Sequence, residues 1–330
     1  MTDSTRAPER EDALTYDEAV RGTENEIKRQ LRSTPAVISR LTSHLSRAEG
    51  KSIRAKSLLI CAMGRDGLIA GGAVKTAAAV ELLHLATLVH DDIIDDADKR
   101  RGIKTLHRKF GEKGAVLCGD YLVCMALELA SSTKPPEERR KLAPKTLPGY
   151  LTDVLTGEMR QNRNNRNYAL TERQYLKIIT GKTAAMFEAC FHLGFLFSDE
   201  SEACMSDYLT IGKNAGIIFQ LADDCADYES TARSSKKPVL SDYKTGVVTL
   251  PLIYALKSDG SLRDRILGGM TPRELKKAVA AAGGLSYTHL KIAGYHKKTL
   301  ALISALPGLK NKKEKLTALL DRAAGMPAVR

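Results

Sequence analysis

Residues 81–102 read ELLHLATLVHDDIIDDADKRRG, and five aspartates fall between Asp91 and Asp98. The approach to them, from Ala73 to His90, is rich in Ala and Leu and apolar on nearly every side. That pattern predicts a helix buried inside a bundle rather than one lying on a surface. A dense acidic cluster at the end of such a helix needs a reason. Asp91, Asp92 and Asp95 are spaced i, i+1, i+4, and residues four apart share a helical face.

The same spacing returns at Asp223, Asp224 and Asp227 in FQLADDCADY, again after an apolar run. Carboxylates held this close repel, and partial burial makes the repulsion worse. A divalent cation relieves it. Oxygen donors without a His/Cys set favour a hard ion such as Mg²⁺, which completes its octahedron with water or phosphate oxygens. The bland alternative is two acidic helix ends turned to water.

The rest of the chain bounds the class. It has 330 residues, 51 basic against 39 acidic, for a net charge of +12. That length buries a large core. The excess of positive charge fits an anionic substrate, an acidic membrane surface or simply a solvated basic face. Aromatic residues make up 5% with no Trp, and no stacking platform or nucleic-acid motif is present, so no nucleic-acid partner is expected. The six cysteines lack CxxC spacing and read as small buried hydrophobes in a reducing compartment. The polar N-terminus argues against a secretory signal, and the charged residues that interrupt 73–90 argue against a membrane span. A cytoplasmic protein is expected.

Residues 1–14 read as a disordered arm, and 15–330 as one all-α domain, a large helical bundle around a deep central cavity. Thr15–Glu18 (TYDE) fits a capping box that starts the first helix. Breaks are expected at 131–148, which carries four prolines, and at 229–247, which reads as a mobile loop. No period-2 segments bounded by hairpin turns argue for a sheet.

In order along the chain, EGKSIRA (49–55), ELLHLATLVHDDIIDDADKRRG (81–102), GEMRQ (157–161), GKTAAMF (181–187) and FQLADDCADY (219–228), then KKPVLSDYKTGVVTLPLIYAL, resemble the conserved elements of the trans-isoprenyl diphosphate synthases, or polyprenyl synthetases. The likeness runs from about Thr34 to Tyr254. It implies a homodimeric isoprenoid-synthase fold in which the two aspartate motifs face each other across a cavity mouth and bind Mg²⁺, about three ions with substrate present, with Mn²⁺ as a substitute. Carried over, Asp91, Asp95, Asp223 and Asp227 hold metal, and Asp92 and Asp224 act as ligands or support them. Arg100, Lys182, Thr183, Gln220 and Lys237 contact an allylic diphosphate. Lys51, Arg54, His84 and Arg101 cradle isopentenyl diphosphate. The implied reaction is head-to-tail condensation of the two. A transient contact with a membrane surface for product release is a further expectation.

Some residues depart from the family pattern. Ala55 and Lys104 replace prolines, Ala226 replaces a larger aliphatic, and Val247 stands where a diphosphate-contacting lysine is usual, with Lys244 three residues away as a substitute. Asp96 and Asp98 fall off the paired spacing and read as solvated bystanders. Ala86 and Thr87 lie about 6–8 Å below Asp91 at 1.5 Å per residue, where small side chains leave a product tunnel open. Leu83 and Leu127 are the next floor candidates, and a medium- or long-chain product is expected over farnesyl or geranylgeranyl diphosphate. Rival readings are a terpene cyclase, a non-catalytic subunit of a heteromeric synthase and a basic membrane-surface protein.

Overall fold

In the computed structural model the described residues are 13–47, 50, 52–142, 145–229 and 240–326. Helices dominate. The N-terminal half contains α1 (Tyr16–Arg32), α2 (Ala36–Leu45), α3 (Ile53–Ala62), α4 (Gly71–Ile94), α5 (Leu106–Phe110), α6 (Glu112–Ser131), α7 (Glu137–Arg140) and α8 (Leu147–Arg163). The second half contains α9 (Glu172–Ile179), a π-helical turn (Thr180–Ala184), α10 (Ala185–Phe197) and α11 (Met205–Glu229). It continues with α12 (Ser241–Thr245), α13 (Leu250–Ser258), α14 (Leu262–Leu267), α15 (Pro272–Ala281), α16 (Gly284–Ala305) and α17 (Lys310–Ala323).

The expected capping box is present: the Thr15 side chain accepts from the Glu18 amide, and the Glu18 carboxylate accepts from the Thr15 amide. The same device starts α9 at Thr171 and α15 at Thr271. These boxes satisfy helix-start donors that would otherwise lack partners.

Three sequence expectations are corrected. Ala13 and Leu14, assigned to the disordered arm, pair antiparallel with Ala70 and Ile69; residues 1–12 lie outside the described residues. A second short ladder joins Lys99–Arg100 to Ile103–Lys104. Both are too short to show as a period-2 pattern. Finally, short helices fall inside the two expected breaks, α7 within 131–148 and α12 within 229–247; residues 230–239, the main part of the expected mobile loop, lie outside the described residues. Five of the six cysteines are buried, but Cys124 is exposed.

α4 is the hub. It packs on α6, α1 and α3, while α10 packs on α3 and α11, and α11 on α16. α4 and α6 are both long and apolar enough to cross a bilayer, yet α4 is mostly buried inside the bundle and α6 less so. One core cluster gathers around α4, with Leu82, Leu83 and Ala86 fully buried. The other gathers around α10 and α11, with Phe187, Phe191 and Phe195 fully buried. The aspartate runs therefore stand at the ends of the two helices that form the centres of these clusters.

Candidate active site

At the end of α4 the three aspartates have different surroundings. Asp92 is 6% exposed and forms an ion pair with Arg100 Nε. Burial raises its pKa and the guanidinium opposes that rise. Asp91 is also largely buried: burial pushes its carboxyl up to about 6, the Lys182 charge pulls it down, and Glu158 and Asp95 add to the rise. Asp95 caps the helix and is exposed.

Arg100 and Arg101 ride on the small hairpin after α4. Arg108 anchors the approach to that hairpin, reaching Asp96 Oδ1 at 2.8 Å and Asp98 Oδ1 at 2.8 Å. Asp96 and Asp98 are exposed, as expected, but they are not bystanders: they fix Arg108 and with it the loop.

Lys182 sits on the π-turn and pairs with Glu158 Oε2 at 2.9 Å. Burial works against its ammonium, but Glu158, Asp91 and Asp95 outweigh that and its pKa is raised. The approach depends on glycine, because a Cβ on Gly157 of α8 would overlap the Lys182 backbone nitrogen. On the opposite side a Cβ on Gly216 of α11 would stand 2.5 Å from Ala184 Cα. A π-turn inserts an extra residue into the helical ladder and re-aims the side chains around it. Here it is seated between two bare-backbone contacts.

On α11 the second motif also divides. Asp223 is exposed and Asp227 half-buried, whereas Asp224 is 1% exposed. Tyr175 donates its hydroxyl to Asp224 Oδ2, and Gln220 Nε2 donates to Oδ1 at 2.8 Å. Thr183 donates to Gln220 Oε1 at 2.6 Å. Burial and the nearby Asp242 push the Asp224 carboxyl well up, against the pull of these donors. Asp227 Oδ2 accepts from the Asp242 amide at 3.2 Å, tying α12 to the motif.

A second polar group lies lower on α4. Arg54 Nη1 and His84 Nε2 are 3.0 Å apart. The guanidinium carbon of Arg54 stands 5.2 Å from the Phe187 ring centroid and 6.0 Å from that of Phe219. Glu81 accepts from the Ala55 amide at 2.9 Å and fixes the start of α3. Burial, then Arg54 and Arg101, hold His84 well below its usual pKa, so it is neutral and its Nε2 accepts from Arg54. Arg54 Nε is buried without a partner among the described residues. Arg101 folds over Gly50, where a Cβ would meet its Nη1 at 2.5 Å. An anion above this group would meet preset donors.

Lys51 and Lys237 lie outside the described residues. Lys244 is exposed on α12, and Val247 is half-buried. Ala86 and Leu83 are fully buried, and Leu127 is half-buried on α6. Thr87 is half-buried, its hydroxyl spent on the His84 carbonyl at 2.8 Å. Sequence reasoning missed Glu158, Tyr175, Glu81 and Arg108. Glu158 sits within GEMRQ, and a lone acidic residue next to a glycine was its only signal.

Among the described residues no three His, Cys, Asp or Glu side chains already converge on a cation position. The donor set still fits a hard divalent ion. It is all carboxylate, and the burial of Asp91 is only partly offset by the Lys182 and Arg100 charges. A Mg²⁺ that keeps water and phosphate ligands needs only one or two carboxylates. Asp91, Asp95, Asp223 and Asp227 are the residues with that chemistry.

The family model described as polyprenyl synthetase matches residues 35–282. Nonaprenyl diphosphate synthase of Mycobacterium tuberculosis is 31% identical over 303 residues, covering 88% of each chain. Heptaprenyl diphosphate synthase component 2 of Bacillus subtilis is 34% identical over 236 residues, 71% of this chain and 66% of that one. The crystal structure of heptaprenyl diphosphate synthase from Staphylococcus aureus superposes with a TM-score of 0.85 at 27% identity, covering 96% of this chain and 99% of that one. Polyprenyl synthase from Caulobacter crescentus, complexed with calcium and isoprenyl diphosphate, gives a TM-score of 0.84 at 29% identity, covering 95% and 96%.

Proposed function

The chain belongs to the polyprenyl synthetase family, and from that premise we propose that it condenses isopentenyl diphosphate head-to-tail with an allylic diphosphate to give a medium- or long-chain trans-polyprenyl diphosphate. One observation carries the reading. The end of α4 presents Asp91 beside Lys182, while Arg54 and His84 hang below it with a donor to spare. One polar group at the end of α4 and another lower along it, with cations brought by the π-turn and α3, suit two diphosphate substrates.

In this reading Asp91, Asp95, Asp223 and Asp227 hold Mg²⁺, which supplies charge neutralisation for the departing diphosphate. Lys182 and Arg100 add cationic contacts to that group as the allylic C–O bond breaks. Lys51, Arg54, His84 and Arg101 orient isopentenyl diphosphate so that its double bond attacks the cation and a new C–C bond forms. The proton lost from the isopentenyl unit passes to the released diphosphate. Apolar side chains on α4 exclude water from the cation. The Arg54–His84 pair favours this reading over a terpene cyclase, which has no use for an isopentenyl cradle.

Purified protein with Mg²⁺, an allylic primer and labelled isopentenyl diphosphate should give chain-extended products, sized by thin-layer chromatography or mass spectrometry. No product under these conditions overturns the assignment. The small side chain of Ala86, five residues before Asp91 on α4, supports the longer product.

The homodimer belongs to the same reading. α6 and α8 pack together, and they expose Leu117 (59%), Leu155 (53%) and Met159 (74%). Large apolar side chains at this exposure on two packed helices support a second copy as the covering surface. We also place the protein in the cytoplasm, in keeping with six free cysteines. A transient membrane contact is supported by residues 241–330, where sixteen basic residues oppose six acidic ones. Sedimentation of the protein with anionic but not neutral vesicles would test it.

A further inference from the structure

We propose that Tyr175 is a positioning residue for the diphosphate site: its phenol locks Asp224, and through Gln220 and Thr183 it sets the π-turn that carries Lys182. The inference rests on the reading above and adds a residue that the motifs do not contain.

The geometry is a single hydrogen-bonded chain. Thr183 donates to Gln220, Gln220 donates to one oxygen of Asp224, and Tyr175 donates to the other. Every donor in the chain leads to Asp224, which is 1% exposed. Asp224 thus has a side-chain donor on each oxygen, and it serves as an anchor rather than as a metal ligand. It lies beside Asp223 and one turn from Asp227, so fixing it fixes the rotation of α11 about its axis. That rotation decides where the metal-holding face points. At the other end of the chain Thr183 is next to Lys182.

Tyr175 can act this way because its own helix is braced. Glu172, at the start of α9, accepts from Tyr287 Oη at 2.6 Å and pairs with Lys291 at 2.7 Å. The Tyr287 ring stacks on Tyr254 with centroids 4.1 Å apart. Two residues along α16, His289 Nε2 meets Glu229 Oε1 at 2.6 Å, at the end of α11. One helix therefore holds both α9 and α11, and the phenol spans the gap between them.

Tyr175→Phe keeps the ring and removes the donor, leaving a buried carboxylate oxygen unpartnered. Steady-state kinetics should show KM for the allylic diphosphate raised by about tenfold, with a higher Mg²⁺ requirement, as one lost buried hydrogen bond implies. KM for isopentenyl diphosphate should stay within about twofold, because its cradle lies on α3 and α4. Asp224→Asn, which cannot accept from both donors, should give the same substrate-selective split. It also serves if Tyr175→Phe fails to fold by near-UV circular dichroism. A double-mutant cycle between Tyr175→Phe and Thr183→Val should be non-additive. Unchanged kinetics, equal changes in both KM values, a lower Tm with both KM values unmoved, or strict additivity would each overturn the proposal. Wild-type protein that makes no product would instead overturn the functional reading, so the two failures are distinguishable.

Discussion

Asp91 is a carboxyl whose folded environment favours the proton. Burial lifts its pKa from 3.8 to about 6. The folded state therefore binds a proton more tightly than the unfolded one, and this contribution to stability is complete below about pH 4 and lost as pH rises through 6. Asp91→Asn, which mimics the protonated form, should leave metal-free protein unchanged near pH 4. At pH 8 it should raise unfolding stability by about 1–2 kcal/mol, once screening of a partly exposed group is allowed for. Denaturant melts at the two pH values check this, and a variant less stable than wild type at pH 8 refutes it. Activity should fall in the same variant, since stability at such a site trades against function. The same helix sets product size: Ala86→Phe should shorten the products, and unchanged chain length would refute the tunnel placement.

At the scale of elements, the π-turn depends on what its neighbours lack. Gly157→Ala places a methyl group on the Lys182 backbone nitrogen. Overpacking of this kind costs about 1–3 kcal/mol. Turnover should fall by roughly 10²-fold because Lys182 moves, a sensitivity to placement typical of such sites; retention of more than half the activity would contradict the contact. The same elements show what the sequence could carry. The i, i+4 aspartates were legible because helical periodicity is local, and the capping box at Thr15 for the same reason. The division of labour within each motif was not. Asp92 turns to Arg100 and Asp224 to Tyr175 because of partners eight and 49 residues away. The π-turn was equally hidden, since GKTAAMF fits an ordinary helix and only the close passage of Gly157 and Gly216 explains the seat. Lys51 and Lys237 rest on the family resemblance alone.

Across the whole molecule, the last helix reaches back to the first third of the chain. Lys312 on α17 is 2% exposed and donates to the carbonyls of Cys61 at 3.2 Å and Met63 at 2.8 Å, and to Glu200 Oε1 at 3.2 Å. Arg139 Nη1 donates to the Glu200 carbonyl at 2.6 Å from the other side. Removing one partner of a buried pair leaves a bare charge, so Lys312→Met should cost about 3–5 kcal/mol in a denaturant melt, and Lys312→Met with Glu200→Gln should recover part of it. A loss below 1 kcal/mol would show that the pair is dispensable. The arrangement also has a consequence in time. On the ribosome, Cys61 and Glu200 emerge well before Lys312, so the carboxylate has no ammonium partner until residues beyond 312 have been made. Glu200 and the backbone around Cys61 and Met63 therefore reach their final pairing only after α17 has been made and has docked, late in the order of assembly.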